Sequence, residues 1–117
     1  MSVAKKLNLA KGTKLRVVGK PKGVGLGEVE ATTSASAPAV LVFVTHLSEV
    51  DGACAPVIEA AREDRIAWVA YPKAGQLGTD LNRDILWKHL LEKHHVQGVR
   101  QIALDEVWSA MRFRPAK

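Results

Sequence analysis

The chain has 117 residues, one domain's worth, enough to bury about two-thirds of its unfolded surface in a single core. Its 47% apolar and 25% charged residues are those of an ordinary globule, neither disordered nor membrane-embedded. No apolar run reaches the ~18 residues of a membrane span, the N-terminal MSVAKKLNLAKG has no apolar stretch to make a secretory signal, and the single Cys54 rules out an intramolecular disulfide, so a cytoplasmic location is expected.

The net charge of +5 is uneven: residues 1–22 hold seven Lys/Arg and no acid, residues 23–80 three against eight, and residues 81–117 seven against four. Residues 1–12 therefore read as a basic arm on a single domain spanning 1–117, a solvated and partly frayed end. Contact with nucleic-acid phosphates is the alternative use of residues 5–22, and the lack of an aromatic residue there weakens it.

TKLRVVG (13–19) is a β-branched apolar run closed by glycine, a strand signal. The glycines that follow, Gly23, Gly25 and Gly27, are spaced G-x-G-x-G rather than G-x-G-x-x-G, and no helix-forming stretch follows to aim its N–H groups at a phosphate. Glu28 or Glu30 imitates a ribose-binding acid, but without the separation of about 20 residues that role needs. A flexible turn is expected, with no cofactor, and EATTSASAPA (30–39) reads as a polar loop. APAVLVFVT (37–45) and RIAWVAYP (65–72) are almost unbroken apolar runs, suited to parallel strands covered on both faces. Between them Val50, Cys54, Val57 and Ala61 form one helical stripe, with Ser48 placed as its cap and Cys54 in the core; Pro56 should kink or restart that helix.

GTDLNRDILWKHLLEKHH (78–95) predicts a second helix with Leu86, Trp87, Leu90 and Leu91 as its apolar face, Thr79 or Asp80 as N-cap, and Gly98 marking its end. His89, His94 and His95 lie at spacings that point them in different directions, so no metal is expected. VRQIALDEVWSAMRFRP (99–115) reads as a hairpin, Val99–Leu104 with Val107–Arg114, whose Asp105-Glu106 link calls for a bulge or a longer connection. Trp108 and Arg112 share one side of the last strand, for packing first and stacking second. Strands alternating with helices predict an α/β three-layer sandwich with a mixed, mostly parallel sheet in the order first, second, third, fifth, fourth, closed by the C-terminal antiparallel hairpin.

Along this pattern VAKKLNLAKGTKL, VLVFVTHLSE, WVAYPKAGQLGTDL and IALDEVWSAMRFR resemble, in that order, the segments of a family of small bacterial proteins catalogued as a domain of unknown function. The likeness spans nearly the whole chain, and TDL with DEVWSAMR is its most specific part. It implies a compact α/β protein without an established activity. The strand pattern is also similar to a cut-down class I methyltransferase fold, Rossmann-like, whose sheet ends in such a hairpin; that likeness concerns topology, and a fold does not define a function.

In an open parallel sheet, ligands bind beyond the carboxyl ends of the strands, here Gly19-Lys20, Thr45-His46 and Tyr71-Pro72-Lys73. The segment after the third strand brings Thr79, Asp80, Asn82 and Arg83 to the same edge. Arg83 opposes the dipole of the helix it opens, so it needs an anionic partner: a protein carboxylate such as Asp80, Asp84 or Asp105, or a ligand held with Lys73 and the helix N–H groups. The candidate ligand-binding set is Lys73, Thr79, Asp80, Asn82, Arg83 and His46; no catalytic set is complete, and Ser109 has no evident base. The leading expectation is a non-enzymatic module that binds a protein partner or a second copy of itself. The alternatives are a binder of a small anionic ligand or nucleotide at this edge, in the manner of a degenerate methyltransferase, and a nucleic-acid binder through the basic arm.

Overall fold

The apolar runs build the middle of one sheet. The computed structural model describes residues 3–27 and 29–116; Glu28, weighed above as a ribose-binding acid, lies outside them. Strands β1 (Lys14–Val18), β2 (Glu30–Thr32), β3 (Ala39–Phe43), β4 (Ile66–Pro72), β5 (Val96–Ala103) and β6 (Trp108–Pro115) lie in the order β2-β1-β3-β4-β6-β5. β1 pairs in parallel with β2 and β3, and β3 with β4, whereas β6 is antiparallel to both β4 and β5. The expected α/β class, strand order and terminal hairpin are thus the observed ones. The addition is β2: an exposed edge strand needs no apolar pattern, and its register sets Glu30 beside Lys14.

The helices are α1 (Val3–Lys6), α2 (Leu47–Ala53), α3 (Ala55–Arg62) and α4 (Arg83–His94). The crossovers β3-α2-α3-β4 and β4-α4-β5 run in the same direction along the sheet, so right-handed connection puts all three helices on one face. There Val40, Val42, Val69 and Phe113 of the sheet meet Val50, Val57, Leu86 and Leu90. The link from β1 to β2 runs the opposite way and crosses the other face without a helix. Its glycine-rich loop buries Val24 against Leu41, Trp68 and Trp108, with Leu26 and Val29 packed beside it.

The basic N-terminal segment completes that second face instead of fraying into solvent. Leu7 is fully buried, the Trp68 indole donates a 3.0 Å hydrogen bond to the Leu7 carbonyl, and the Lys6 ammonium donates to the Ala103 carbonyl at 3.0 Å. Burying a leucine stabilises by about 1.5–3 kcal/mol, enough to order a short end.

Pro56 restarts the first helix as expected. It occupies the first turn of α3, where a missing N–H leaves no hydrogen bond unmade, and Cys54 forms the joint between α2 and α3. Ser48 is not the cap: His46 holds that position, and Ser48 lies inside the first turn. α4 is capped by Asn82, whose Oδ1 accepts from the Ile85 N–H at 2.9 Å, rather than by Thr79 or Asp80. It ends at His94, with His95 in the left-handed conformation (φ 58°), so Gly98 falls inside β5 instead of terminating the helix. The apolar face of α4 is also narrower than expected, because Leu86 and Leu90 are buried while Trp87 and Leu91 are each 38% exposed.

The hairpin bulge sits between Gly98 and Arg100, away from the turn. At the turn, Asp105 Oδ1 accepts from the N–H groups of Val107 and Trp108 at 2.8 and 2.7 Å, which supplies what an Asn-Gly pair would otherwise provide. Trp108 packs edge-on against Phe43, ring centroids 5.2 Å apart. Arg112 pairs in register with Trp68 on one side and Arg100 on the other. No helix among the described residues is long and apolar enough to cross a membrane.

Candidate functional site

At the carboxyl end of β4, between that strand, the start of α4 and the hairpin, lies a groove of about 460 Å³ lined by Tyr71, Lys73, Asn82, Arg83, Gln101 and Ser109, with Ala74 and Asp84 at its margin. Three of the six expected ligand-binding residues, Lys73, Asn82 and Arg83, thus come together. Tyr71 and Ser109 lie directly opposite each other in the β4–β6 pair, and Ala103 faces Ser109 from β5, so one sheet face supplies the floor.

The floor is polar and nearly closed. Tyr71 is 2% exposed and its hydroxyl accepts a 2.7 Å hydrogen bond from Gln101 Nε2, which leaves its own proton to donate. Burial pushes the Tyr71 phenol above its ordinary pKa, partly offset by the nearby Arg83 charge, so it stays protonated. Ser109 is 6% exposed, and among the described residues its hydroxyl has no hydrogen-bond partner.

The walls are cationic. Lys73 is positioned by its backbone N–H, which donates to the Val107 carbonyl at 2.7 Å, and its ammonium has no ion-pair partner among the described residues. Arg83 does find a protein carboxylate, as one reading of the sequence anticipates: its Nε donates to Asp84 Oδ1 at 3.3 Å, with both side chains well exposed. That single contact leaves the two terminal guanidinium nitrogens without a partner among the described residues.

The other three expected ligand residues build the frame around the groove. Thr79 Oγ1 donates to the Thr45 carbonyl and accepts from the Leu81 N–H at 2.9 Å. Asp80 Oδ1 accepts from the Leu47 N–H at 2.8 Å, so the carboxylate read as an α4 cap sits at the start of α2. His46 pairs its Nδ1 with Glu49 Oε2 at 3.3 Å, and the Thr45 N–H donated to Glu49 holds that carboxyl below its ordinary pKa. These bonds tie the loop after β4 to the end of β3.

Two expectations are corrected elsewhere. His89 and His94, five residues apart and roughly 140° apart around an ideal helix, both place Nε2 at 2.8 Å from Asp51 Oδ1, because Asp51 of α2 lies between them. The trio is a hydrogen-bonded cross-tie between α2 and α4, and among the described residues no three His, Cys, Asp or Glu side chains are placed to hold a metal ion. In the basic segment, Lys20 donates to the Val24 carbonyl at 2.8 Å and Lys6 to Ala103, so two of its cations serve the fold.

Gln101 was missed by sequence reasoning, and Ser109 was weighed only as a nucleophile without a base. Both lie on hairpin strands whose alternation marks a face but not what stands opposite, and the β4–β6 register alone brings Ser109 to Tyr71. Comparison with protein-family models, with curated proteins and with solved structures finds no match for this chain.

Proposed function

We propose that the protein is a non-enzymatic binding module that takes a small anionic ligand at the carboxyl edge of its sheet. The observation that carries this reading is one groove holding two cations with open donors, Lys73 and Arg83, above two buried hydroxyls, Tyr71 and Ser109. A guanidinium with both terminal nitrogens open suits two-point contact with a carboxylate or phosphate, and Lys73 supplies a point charge across the groove. Asp84 is the internal competitor. An exposed pair of this kind contributes about 0–1 kcal/mol, so a ligand of greater charge displaces it.

Isothermal titration of pyrophosphate at low salt tests the reading. Wild type binds, Arg83→Gln loses at least tenfold in affinity, and Asp84→Asn binds tighter because a competing charge is gone. Absence of pyrophosphate binding to wild type, or an Arg83→Gln variant that binds as well, overturns it.

A protein partner or a second copy is the other reading, supported by β5. This edge strand of eight residues carries Val99, which is 46% exposed. A concentration-dependent dimer in analytical ultracentrifugation, lost in Val99→Lys, is its expected result. For topology, antiparallel β6 inserted between β4 and β5 supports the likeness to a cut-down class I methyltransferase sheet, whereas the glycine-rich loop opens into no helix as a methyl-donor site requires.

A further inference from the structure

A second groove, of about 220 Å³, continues from the first: Arg83 and Gln101 line both, and Trp87, Gly98, Val99, Arg100 and Met111 form the rest of its wall. We infer that the two grooves form one site for an aromatic anion of the mononucleotide kind, with the anionic group between Lys73 and Arg83 and the planar ring against Trp87. The inference rests on the anion-binding reading above and adds the ligand's other half.

Three observations support it. Trp68 and Trp108 are 0% and 3% exposed, whereas Trp87 is 38% exposed, the only tryptophan left partly open, and it opens onto this groove. Trp87 follows Arg83 by four residues on α4, so the two side chains leave the same face about 6 Å apart along the axis. That is a spacing a sugar-sized linker bridges. The groove floor at Gly98 has no side chain, and Met111 fills the space a Cβ would take there; this leaves Trp87 seated beside a flat apolar strip of thioether and backbone. An indole beside such a strip offers a stacking surface that accepts any planar base.

The test compares adenosine 5′-monophosphate with ribose 5-phosphate, which carries the same anion and sugar without the ring. Tryptophan fluorescence and calorimetry are read on wild type, Trp87→Leu and Trp87→Phe, with melting curves as the folding control. Wild type is expected to bind the nucleotide about tenfold tighter than the sugar phosphate, with quenching of the exposed indole. Trp87→Leu should bring the nucleotide down to the sugar phosphate's affinity without changing the latter, and Trp87→Phe should keep most of the preference. Equal affinities in wild type, or a preference that survives Trp87→Leu, overturn the aromatic subsite while the anion site stands. Failure of both ligands to bind overturns the two together. The wild-type comparison decides even where the leucine variant does not fold.

Discussion

Gly98→Ala tests whether β5 depends on a missing side chain. Gly98 has no positive φ, so alanine's backbone preference is satisfied there. Reducing the freedom of the unfolded chain would then favour the variant by about 0.4–1 kcal/mol. Against this, a Cβ at that position would lie 2.5 Å from Met111 Sδ and 3.2 Å from its Cγ, so the sulfur must retreat by about 0.9 Å to reach ordinary contact at 3.4 Å. Met111 is 2% exposed and sits between two neighbouring strands, which limits where it can go. Overpacking of this kind costs about 1–3 kcal/mol, and a flexible methionine keeps it in the lower half. The net expectation is a loss of about 1 kcal/mol, a fall in Tm of about 3–6 °C for a chain of this length. Urea denaturation of wild type, Gly98→Ala, Met111→Ala and the double variant measures the coupling directly. In the Met111→Ala background the alanine at position 98 should become neutral or stabilising. A Gly98→Ala protein as stable as wild type, or one whose loss persists without the Met111 sulfur, refutes the steric account.

Asn82→Ala removes the side-chain cap on Ile85 and should lower stability by about 1 kcal/mol in the same assay, whereas Asn82→Asp retains the acceptor and should stay near wild type. Asp51 is held below its ordinary pKa by hydrogen bonds from His94 and His89, so its contribution is present above the unfolded carboxyl's value near 4 and is lost as pH falls through the lower folded value. The stability gap between wild type and Asp51→Asn should therefore close in acid; a gap that does not change with pH counts against the cross-tie. Burial pushes the Cys54 thiol up to about 12, so it should resist iodoacetamide at pH 8 in the folded protein. Between about pH 9 and 12 the unfolded thiol ionises while the folded one does not. Stability should fall there by up to about 1.4 kcal/mol per pH unit, and Cys54→Ala should show a shallower slope over the same range.

The central strands were legible because a run such as AVLVF has all five residues buried, and only a strand covered on both faces tolerates that. The edges were not. Glu30–Thr32 pair because β1 has a free side, and Leu7 is buried because, among the described residues, no crossover helix covers the sheet's second face and the α1 segment packs there instead; neither fact lies in the local pattern. Polar assignments failed for a related reason. Asp80 has the sequence position of an α4 cap, but the loop turns it toward the start of α2, and the Asn two residues later takes the cap. Likewise Trp87 fits the helical apolar stripe, yet the stripe reaches the sheet's edge there and leaves the ring half open.

The same two caps constrain how the groove can work. An anion at this edge was expected to gain from helix N–H groups as well as from Arg83 and Lys73, but Asp80 holds the Leu47 N–H of α2 and Asn82 holds the Ile85 N–H of α4. With those two donors engaged, the attraction falls mainly on the two side-chain cations and the hydroxyls of Tyr71 and Ser109, with the N–H groups of Arg83 and Asp84 as what remains of the α4 terminus. Exposed cations are screened over a Debye length of about 8 Å at physiological ionic strength, whereas buried hydroxyl contacts are not. Affinity for a simple phosphate should thus weaken steeply with added salt, and a ligand that also occupies the Trp87 groove should retain more of its affinity, because stacking does not depend on ionic strength.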